Sequence, residues 1–301
     1  MAAGKGAMVW QLRRWKGGDP QQQAAHAVSL GLTHVSIKMV DGRSERWEGS
    51  LSNQNADLLP TALQALRAAG VRVTGWGWTY GGRYVMGVFV KDAGVARAEG
   101  ELAAALCLRH GISEWLIDAE AEYNRDGMLP SAEAYMLGFE GQAPAVRHLL
   151  CSYRFPRTYQ PKFPVDAFSV FQEGWAPQVY WIGDNRPDGG AVQLERSKVQ
   201  YDAIRPLPFY PVAPTYLAAG PWTATGVQLR LFFEKAVALG CEGVSVWDLP
   251  QADAVQLAAI RDFAWPGAEP PPPAPPPPLP EKLPIEVRVP AGKTTVTIIE
   301  V

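Results

Sequence analysis

Short apolar stretches alternate with longer amphipathic ones along most of the chain. The short stretches are rich in β-branched and aromatic residues, which favours strands over helices. The predicted strands are residues 8–12, 34–39, 72–78, 115–122, 148–153, 178–182, 209–213 and 243–247. The segments between them have helical character, and the predicted helices are residues 20–30, 53–69, 93–110, 131–147, 165–171, 194–204, 225–239 and 252–263.

This alternation of strand and helix predicts parallel strands joined by right-handed crossovers. Gly70 and Gly240 each end a predicted helix directly before a strand, which is typical of the short links in such folds. Eight units predict an α/β fold, a (β/α)₈ TIM barrel over residues 1–266. A doubly wound open sheet is the alternative, but no nucleotide-binding glycine motif follows the first strand.

The composition changes abruptly after Trp265 and Pro266. Residues 270–278 are all proline except Ala274, which predicts a stiff polyproline II linker over residues 267–284. Residues 285–301 alternate between apolar and polar and contain a Pro-Ala-Gly-Lys turn, so we expect a short C-terminal β-hairpin. An isolated hairpin is marginally stable in water, and this tail is therefore expected to mediate attachment or self-association.

Charge and cysteine content exclude several classes of function. The formal net charge of −2 gives no basic surface for nucleic acid or an anionic membrane. The three cysteines lie far apart in apolar segments and read as buried thiols, and no metal-ligand spacing or cofactor motif is present. The first residues lack a signal sequence and no stretch is long enough to insert in a membrane, so we expect synthesis in the cytoplasm.

The fourth predicted strand carries three carboxylates at alternate positions. Asp118, Glu120 and Glu122 would share one face of it, and in a barrel that face is the lumen. Crowded acids raise at least one pKa, as a site needs when a proton donor must stand beside an anion. An exposed strand with a solvated acidic face is the plain alternative, but the fourth position of eight favours the lumen.

The acidic strand resembles the fourth strand of family 18 glycoside hydrolases, the chitinase type. That motif is D-x-D-x-E-Tyr, and here the residues 118–123 read Asp-Ala-Glu-Ala-Glu-Tyr. The resemblance implies Glu122 as the acid, Glu120 as the carboxylate that orients the substrate, and Tyr180 as the group that steadies the N-acetyl nucleophile. The eighth strand also resembles that family, and Trp247 would form the floor of the subsite.

A second resemblance, to family 25 lysozymes, assigns the acids differently. Asp118 and Glu120 match the D-x-E pair of that family, and Ile37-Lys38 lies on a similar second strand. This resemblance implies Glu120 as the acid and Asp118 as its partner. The family has an acid on its first strand, where this chain has only Gln11.

Further residues at strand ends are predicted to contact a sugar. Aromatic rings stack on sugars, and Lys38, Asp248 and Gln11 could supply polar contacts. Lys38 is more plausibly paired with the acids than a Schiff-base nucleophile, and Asp248 could instead cap the following helix. Arg154 is grouped with the weaker candidates. The predicted aromatic contacts are Trp78, Tyr80, Tyr153, Trp181, Tyr216 and Trp247.

These patterns lead to three hypotheses of function. The first is a retaining glycoside hydrolase that acts on a β-linked N-acetylhexosaminide polymer, with a Glu as general acid. Peptidoglycan is favoured over chitin because a barrel with a rod and a small tail suits a phage lysin, released by lysis or carried on the particle. The second is a glycan-binding or structural barrel without turnover, and a lyase that uses Lys38 is a third.

Overall fold

The computed structural model describes residues 4–44, 55–218 and 221–267. The strands are β1 (Gly4–Val9), β2 (His34–Asp41), β3 (Arg72–Thr79), β4 (Gly82–Val85), β5 (Val88–Lys91), β6 (Glu114–Ala119), β7 (Arg147–Cys151), β8 (Val212–Pro214) and β9 (Gly243–Trp247). The α-helices are α1 (Pro20–Ser29), α2 (Asn55–Ala68), α3 (Ala93–His110), α4 (Leu129–Gln142), α5 (Val165–Phe171), α6 (Gly189–Asp202), α7 (Gly226–Ala238) and α8 (Ala254–Asp262).

The sheet curls into a barrel. Seven parallel strands are ordered β7-β6-β3-β2-β1-β9-β8. The segment 174–178 lies between the two edges: Trp175 bridges Leu150 and Phe209, and Gln178 bridges Tyr153 and Val212. The eight strand positions with their intervening helices confirm the predicted (β/α)₈ barrel.

Several predicted strands have different bounds, and the first and the sixth illustrate the causes. Pairing at the sixth position runs from residue 175 to 178 rather than over 178–182, and it stays irregular because Pro177 has no N–H to donate. β1 lies over Gly4–Val9 instead of 8–12. The glycines of this strand do not favour a strand in the sequence, which is why it was not predicted there. A side chain at Gly6 would lie 2.0 Å from the ring of His34, so the barrel interior requires glycine at this position.

The lower part of the lumen contains polar side chains that form hydrogen bonds with one another. His34 Nε2 is 2.9 Å from Ser245 Oγ, and burial lowers the pKa of His34 to about 3, so the ring is neutral. Ser36 and Thr74 hydroxyls share a hydrogen bond of 2.6 Å in the same region. Apolar residues of β1, β3, β6 and β7 form a buried cluster in the lumen.

One element was not predicted. An antiparallel hairpin, β4 and β5, is inserted between β3 and α3. Its exposed side chains include Tyr84, Met86 and Val88. The ring of Tyr84 packs edge to face against two others, with centroids 6.5 Å from Tyr80 and 5.4 Å from Phe89. The hairpin therefore extends one side of the upper end of the barrel.

The alternating glycines of β3 accommodate the largest side chain of β6. Gly75 and Gly77 face the helices, and the indole of Trp115 lies over both. A methyl group at Gly77 would come 2.4 Å from Val40 Cγ1 and 2.8 Å from Trp115 Cζ2. Because neighbours in a strand point to opposite faces, this packing turns Trp76 and Trp78 toward the lumen.

We expect Gly77→Ala to lower the free energy of unfolding by ~1–3 kcal/mol, because the added methyl overpacks this contact. Gly141→Ala is the matched control, since nothing lies within 4 Å of its added methyl and alanine favours the α4 helix. Urea denaturation of both variants checks the prediction. Equal unfolding free energies for the two would contradict the packing described here.

The predicted linker, residues 267–284, and the predicted hairpin, residues 285–301, lie almost entirely outside the described residues. The barrel reaches the end of α8, and Trp265 packs against Phe263 just beyond it. Attachment or self-association through the tail therefore stays a prediction.

Candidate active site

A cavity of about 740 Å³ opens at the carboxyl ends of the barrel strands. This is the end at which residues from several strands of a (β/α)₈ barrel meet. The lining combines carboxylates, one lysine, one arginine and many aromatic rings. The residues are Met8, Trp10, Lys38, Asp41, Trp76, Trp78, Tyr80, Asp118, Glu120, Tyr153, Arg154, Tyr159, Gln160, Gln178, Tyr180, Ile182, Tyr216 and Trp247.

Two carboxyl groups, buried Asp118 and half-buried Glu120, stand at the centre of this lining. Asp118 lies on β6 and Glu120 directly follows the end of that strand. The side-chain amide of Gln178 donates to both, at 2.9 Å to Asp118 Oδ1 and 2.6 Å to Glu120 Oε1. Gln178 was missing from the predicted site residues. The sequence did contain a clue, because Gln178 lies two residues before Tyr180 and should therefore face the lumen as Tyr180 does.

The surroundings favour one retained proton on this pair. Burial raises the pKa of Asp118 well above its ordinary value, and the charge of Glu120 raises it further. Burial also raises the pKa of Glu120, although hydrogen bonds from Gln178 and Asp118 act in the opposite direction. The hydrogen bond between the two carboxyls therefore favours a protonated Asp118 beside an ionised Glu120.

Glu122 lies in the turn after β6 and not on the strand with Asp118, so the predicted strand 115–122 was too long at its carboxyl end. β6 ends at Ala119, and a turn follows in which Tyr123 N donates to Glu120 O at 2.9 Å. The turn breaks the period of two, and Glu122 is not part of the cavity lining, although its charge still acts on Glu120. Glu122 Oε1 instead accepts a hydrogen bond from Tyr84 Oη at 3.3 Å.

A second charged group lies at the end of β2. Lys38 Nζ donates to Asp41 Oδ2 at 2.6 Å, and Tyr80 Oη donates to Asp41 Oδ1 at 2.7 Å. The ammonium group also lies 5.2 Å from the centre of the Trp76 ring. Lys38 therefore stands in an ion pair, but its partner here is Asp41, whereas the predicted partners were the acids of the fourth strand. An ion-paired ammonium is a poor Schiff-base nucleophile.

Aromatic rings form much of the cavity wall. Trp76 and Trp247 meet edge to face at 5.0 Å, and Tyr180 and Tyr216 do so at 5.7 Å. Of the predicted contacts, Trp78, Tyr80, Tyr153, Tyr180, Tyr216 and Trp247 line the cavity. Trp10 lines it too and had not been predicted, because the first strand was placed too far along the chain.

Three predicted contact residues lie outside the cavity lining. Trp181 is fully buried and stacks on Phe232 at 5.2 Å, because Tyr180 turns to the lumen and its neighbour must face the helices. Asp248 accepts hydrogen bonds from Trp10 N and Gln251 Nε2, both 3.1 Å, and burial raises its pKa to about 6. Gln11 is buried after the end of β1 rather than on it.

No group of three or more His, Cys, Asp or Glu side chains that could hold a metal ion occurs within residues 4–44, 55–218 and 221–267. The same ranges contain no helix long and apolar enough to cross a membrane. Cys107, Cys151 and Cys241 are buried free thiols, as predicted.

Comparison with solved structures adds the fold family. A chitinase from Chromobacterium violaceum ATCC 12472 superposes with a TM-score of 0.58 at 14% identity, covering 86% of this chain and 98% of that one. A family GH18 chitinase from Cycas revoluta gives a TM-score of 0.62 at 13% identity, with 86% and 99% covered. This chain has the fold of the family 18 chitinases.

A bacterial enzyme of a different description has a similar fold. The spore cortex-lytic enzyme SleL of Bacillus megaterium QM B1551 gives a TM-score of 0.57 at 9% identity, covering 86% of this chain and 73% of that one. No protein-family model matches the chain, and no curated protein is significantly similar in sequence. The likeness to these solved structures is therefore one of fold.

We expect Asp118→Asn to stabilise the protein at high pH. The pKa values of both carboxyls are higher in the folded chain than in the unfolded one. The pair therefore contributes its full stability below pH ~3.9, the unfolded pKa of Asp, and loses that contribution as pH rises through the folded pKa values. Asn keeps the hydrogen bonds and removes one charge. The variant should gain on the order of 1 kcal/mol in unfolding free energy at pH 8 and nothing near pH 3.

Urea denaturation across this pH range measures the difference between the variant and the parent chain. A difference independent of pH, or one that grows toward acid, would contradict the raised pKa values.

Proposed function

We propose that the chain is a glycoside hydrolase that cleaves β-linked N-acetylhexosaminide polymers of the peptidoglycan or chitin type, with Glu120 as general acid. The observation that supports this most directly is the buried pair of Asp118 and Glu120 under a single amide donor, at the catalytic end of the barrel. A pair that keeps a proton at neutral pH can protonate a leaving oxygen. The chitinases and the cortex-lytic enzyme with this fold agree with that reading.

The proposed first step breaks the glycosidic bond with help from the substrate. The proton of the pair passes from Asp118 to Glu120 and then to the leaving oxygen, as the bond between that oxygen and the anomeric carbon breaks. Asp118 is hydrogen-bonded to Glu120 itself, whereas a carboxylate nucleophile in a retaining enzyme stands ~5–5.5 Å from its acid. The carbonyl oxygen of the substrate's N-acetyl group therefore attacks the anomeric carbon in its place.

The second step returns the enzyme to its starting state. Water attacks the anomeric carbon and reopens the ring formed with the N-acetyl group, and its proton passes to the carboxylate of Glu120 and from there back to Asp118. Two inversions at the same carbon give net retention. Burial raises the pKa of Tyr180 well above its usual value, so its hydroxyl stays protonated and can donate to the N-acetyl group throughout.

Glycan binding without turnover is the second candidate. The aromatic wall formed by Trp76, Trp78, Tyr216 and Trp247 would suffice for it, because ring faces stack on sugars whether or not a proton is transferred. The two candidates differ in whether the carboxyl pair is needed.

Hydrolysis assays on peptidoglycan and on chitin oligomers should separate these candidates. We expect Glu120→Gln to lower the rate by ~10²–10⁴-fold or more, because the general acid is lost while shape and hydrogen-bonding capacity remain. Glu122→Gln is the matched control and should stay within about threefold of the parent, since its side chain lies outside the cavity lining.

Loss of activity in Glu122→Gln with full activity in Glu120→Gln would overturn the assignment of the acid. Equal and negligible release from the parent and both variants, together with retained glycan binding, would establish the binding module instead. The configuration of the first product, read by proton NMR, should be that of the substrate.

A further inference from the structure

One cation of the cavity lacks a carboxylate partner. Arg154 follows β7 and lines the cavity beside Tyr153, Tyr159 and Gln160. Its guanidinium lies 5.4 Å from the ring centre of Phe155 and 5.8 Å from that of Tyr159. No acid within the described residues forms a salt bridge with Arg154; its interactions there are with aromatic rings and the Tyr159 hydroxyl.

The other cation of the cavity lining and the acid that acts on Arg154 each have a partner of their own. Lys38, the other cation of the lining, is paired with Asp41. Asp184, whose charge acts on Arg154 at a distance, is held by Arg186 through hydrogen bonds of 2.7 and 3.0 Å. Partial burial lowers the pKa of Arg154, and the nearby charge of Arg196 lowers it further. A half-buried guanidinium without an internal anion costs free energy that an anionic ligand would offset.

We propose that Arg154 forms a subsite for a carboxylate on the glycan, either the lactyl carboxylate of a muramic acid residue or a carboxylate of the peptide attached to it. This inference deepens the proposed function and rests on the substrate class stated there. Arginine presents a planar fork of donors that matches a carboxylate, and the rings of Phe155 and Tyr159 limit its freedom before the ligand arrives. Chitin has no anionic substituent, so this subsite selects peptidoglycan strands.

Binding by a catalytically silenced chain tests the subsite separately from turnover. The full chain carrying Glu120→Gln is titrated calorimetrically with a peptide-free tetrasaccharide of alternating N-acetylglucosamine and N-acetylmuramic acid, with the methyl ester of that compound, and with chitotetraose. We expect the free carboxylate to bind about tenfold or more tightly than its ester. Adding Arg154→Gln should abolish this preference and leave chitotetraose within about twofold.

Arg196→Gln in the same background is the matched control. Arg196 lies 4.8 Å from the Phe155 ring but outside the cavity lining, so its loss removes an equal charge nearby without touching the ligand. It should leave the preference for the carboxylate within about twofold, because screened charges at a distance contribute little. An equal effect of the two arginine substitutions would overturn the direct contact.

Further outcomes decide between the remaining alternatives. A fourth ligand, the peptide-bearing tetrasaccharide, identifies the source of the carboxylate: an Arg154-dependent gain confined to this ligand assigns it to the peptide. Equal affinities of acids and esters, or equal weakening of chitotetraose by Arg154→Gln, would overturn the subsite. Hydrolysis with carboxylate-independent binding would remove the subsite alone, whereas carboxylate-dependent binding without hydrolysis by the parent chain would remove the proposed reaction alone.

Discussion

The site depends on one shared hydrogen-bond donor. The side-chain amide of Gln178 contacts Asp118 and Glu120 together, at 2.9 and 2.6 Å. Two carboxyls that approach each other in a buried lumen repel unless a proton or a donor intervenes, and here both are supplied. Gln178 lies on the segment that closes the barrel between β7 and β8, so the same segment closes the barrel and carries the amide that joins the two carboxyls.

The rest of the architecture supports this arrangement. Gly75 and Gly77 leave room for Trp115 outside the sheet, which holds β6 in register and turns the tryptophans of β3 inward. Asp41 takes up the charge of Lys38, so the lysine lines the cavity without a free nucleophilic amine. The burial that stabilises the barrel also raises the pKa values, and the protein thereby gives up some stability at the place where chemistry is expected.

Much of the fold could be predicted from periodicity alone. The alternation of strand and helix established the eight-unit barrel, and the fourth position of the acidic strand placed Asp118 and Glu120 at the lumen. The position of Glu122 could not be predicted, because the end of β6 depends on turn hydrogen bonds that follow Ala119 and leave no pattern. Trp181 was misplaced because a segment interrupted by Pro177 gives no reliable register.

The two family resemblances disagree on the acid, and the proposal of Glu120 follows from where the two side chains lie. Glu120 lines the cavity beside its partner, whereas Glu122 bonds to the hairpin tyrosine Tyr84. Five of the six predicted aromatic contacts line the cavity, whereas Trp181 packs against Phe232. Gln178 was not predicted because an amide does not titrate, and only the structure shows that it donates to two carboxyl groups.

The proton content of the carboxyl pair tests this account most directly. Carbon-13 NMR of the chain labelled at Asp and Glu carboxyl carbons, with Asp118→Asn and Glu120→Gln for assignment, follows each group through a pH titration. We predict that at pH 6, where exposed carboxyls with pKa values of ~4 have ionised, the pair still holds one proton. Two carboxyls that both ionise near pH 4 would contradict the account.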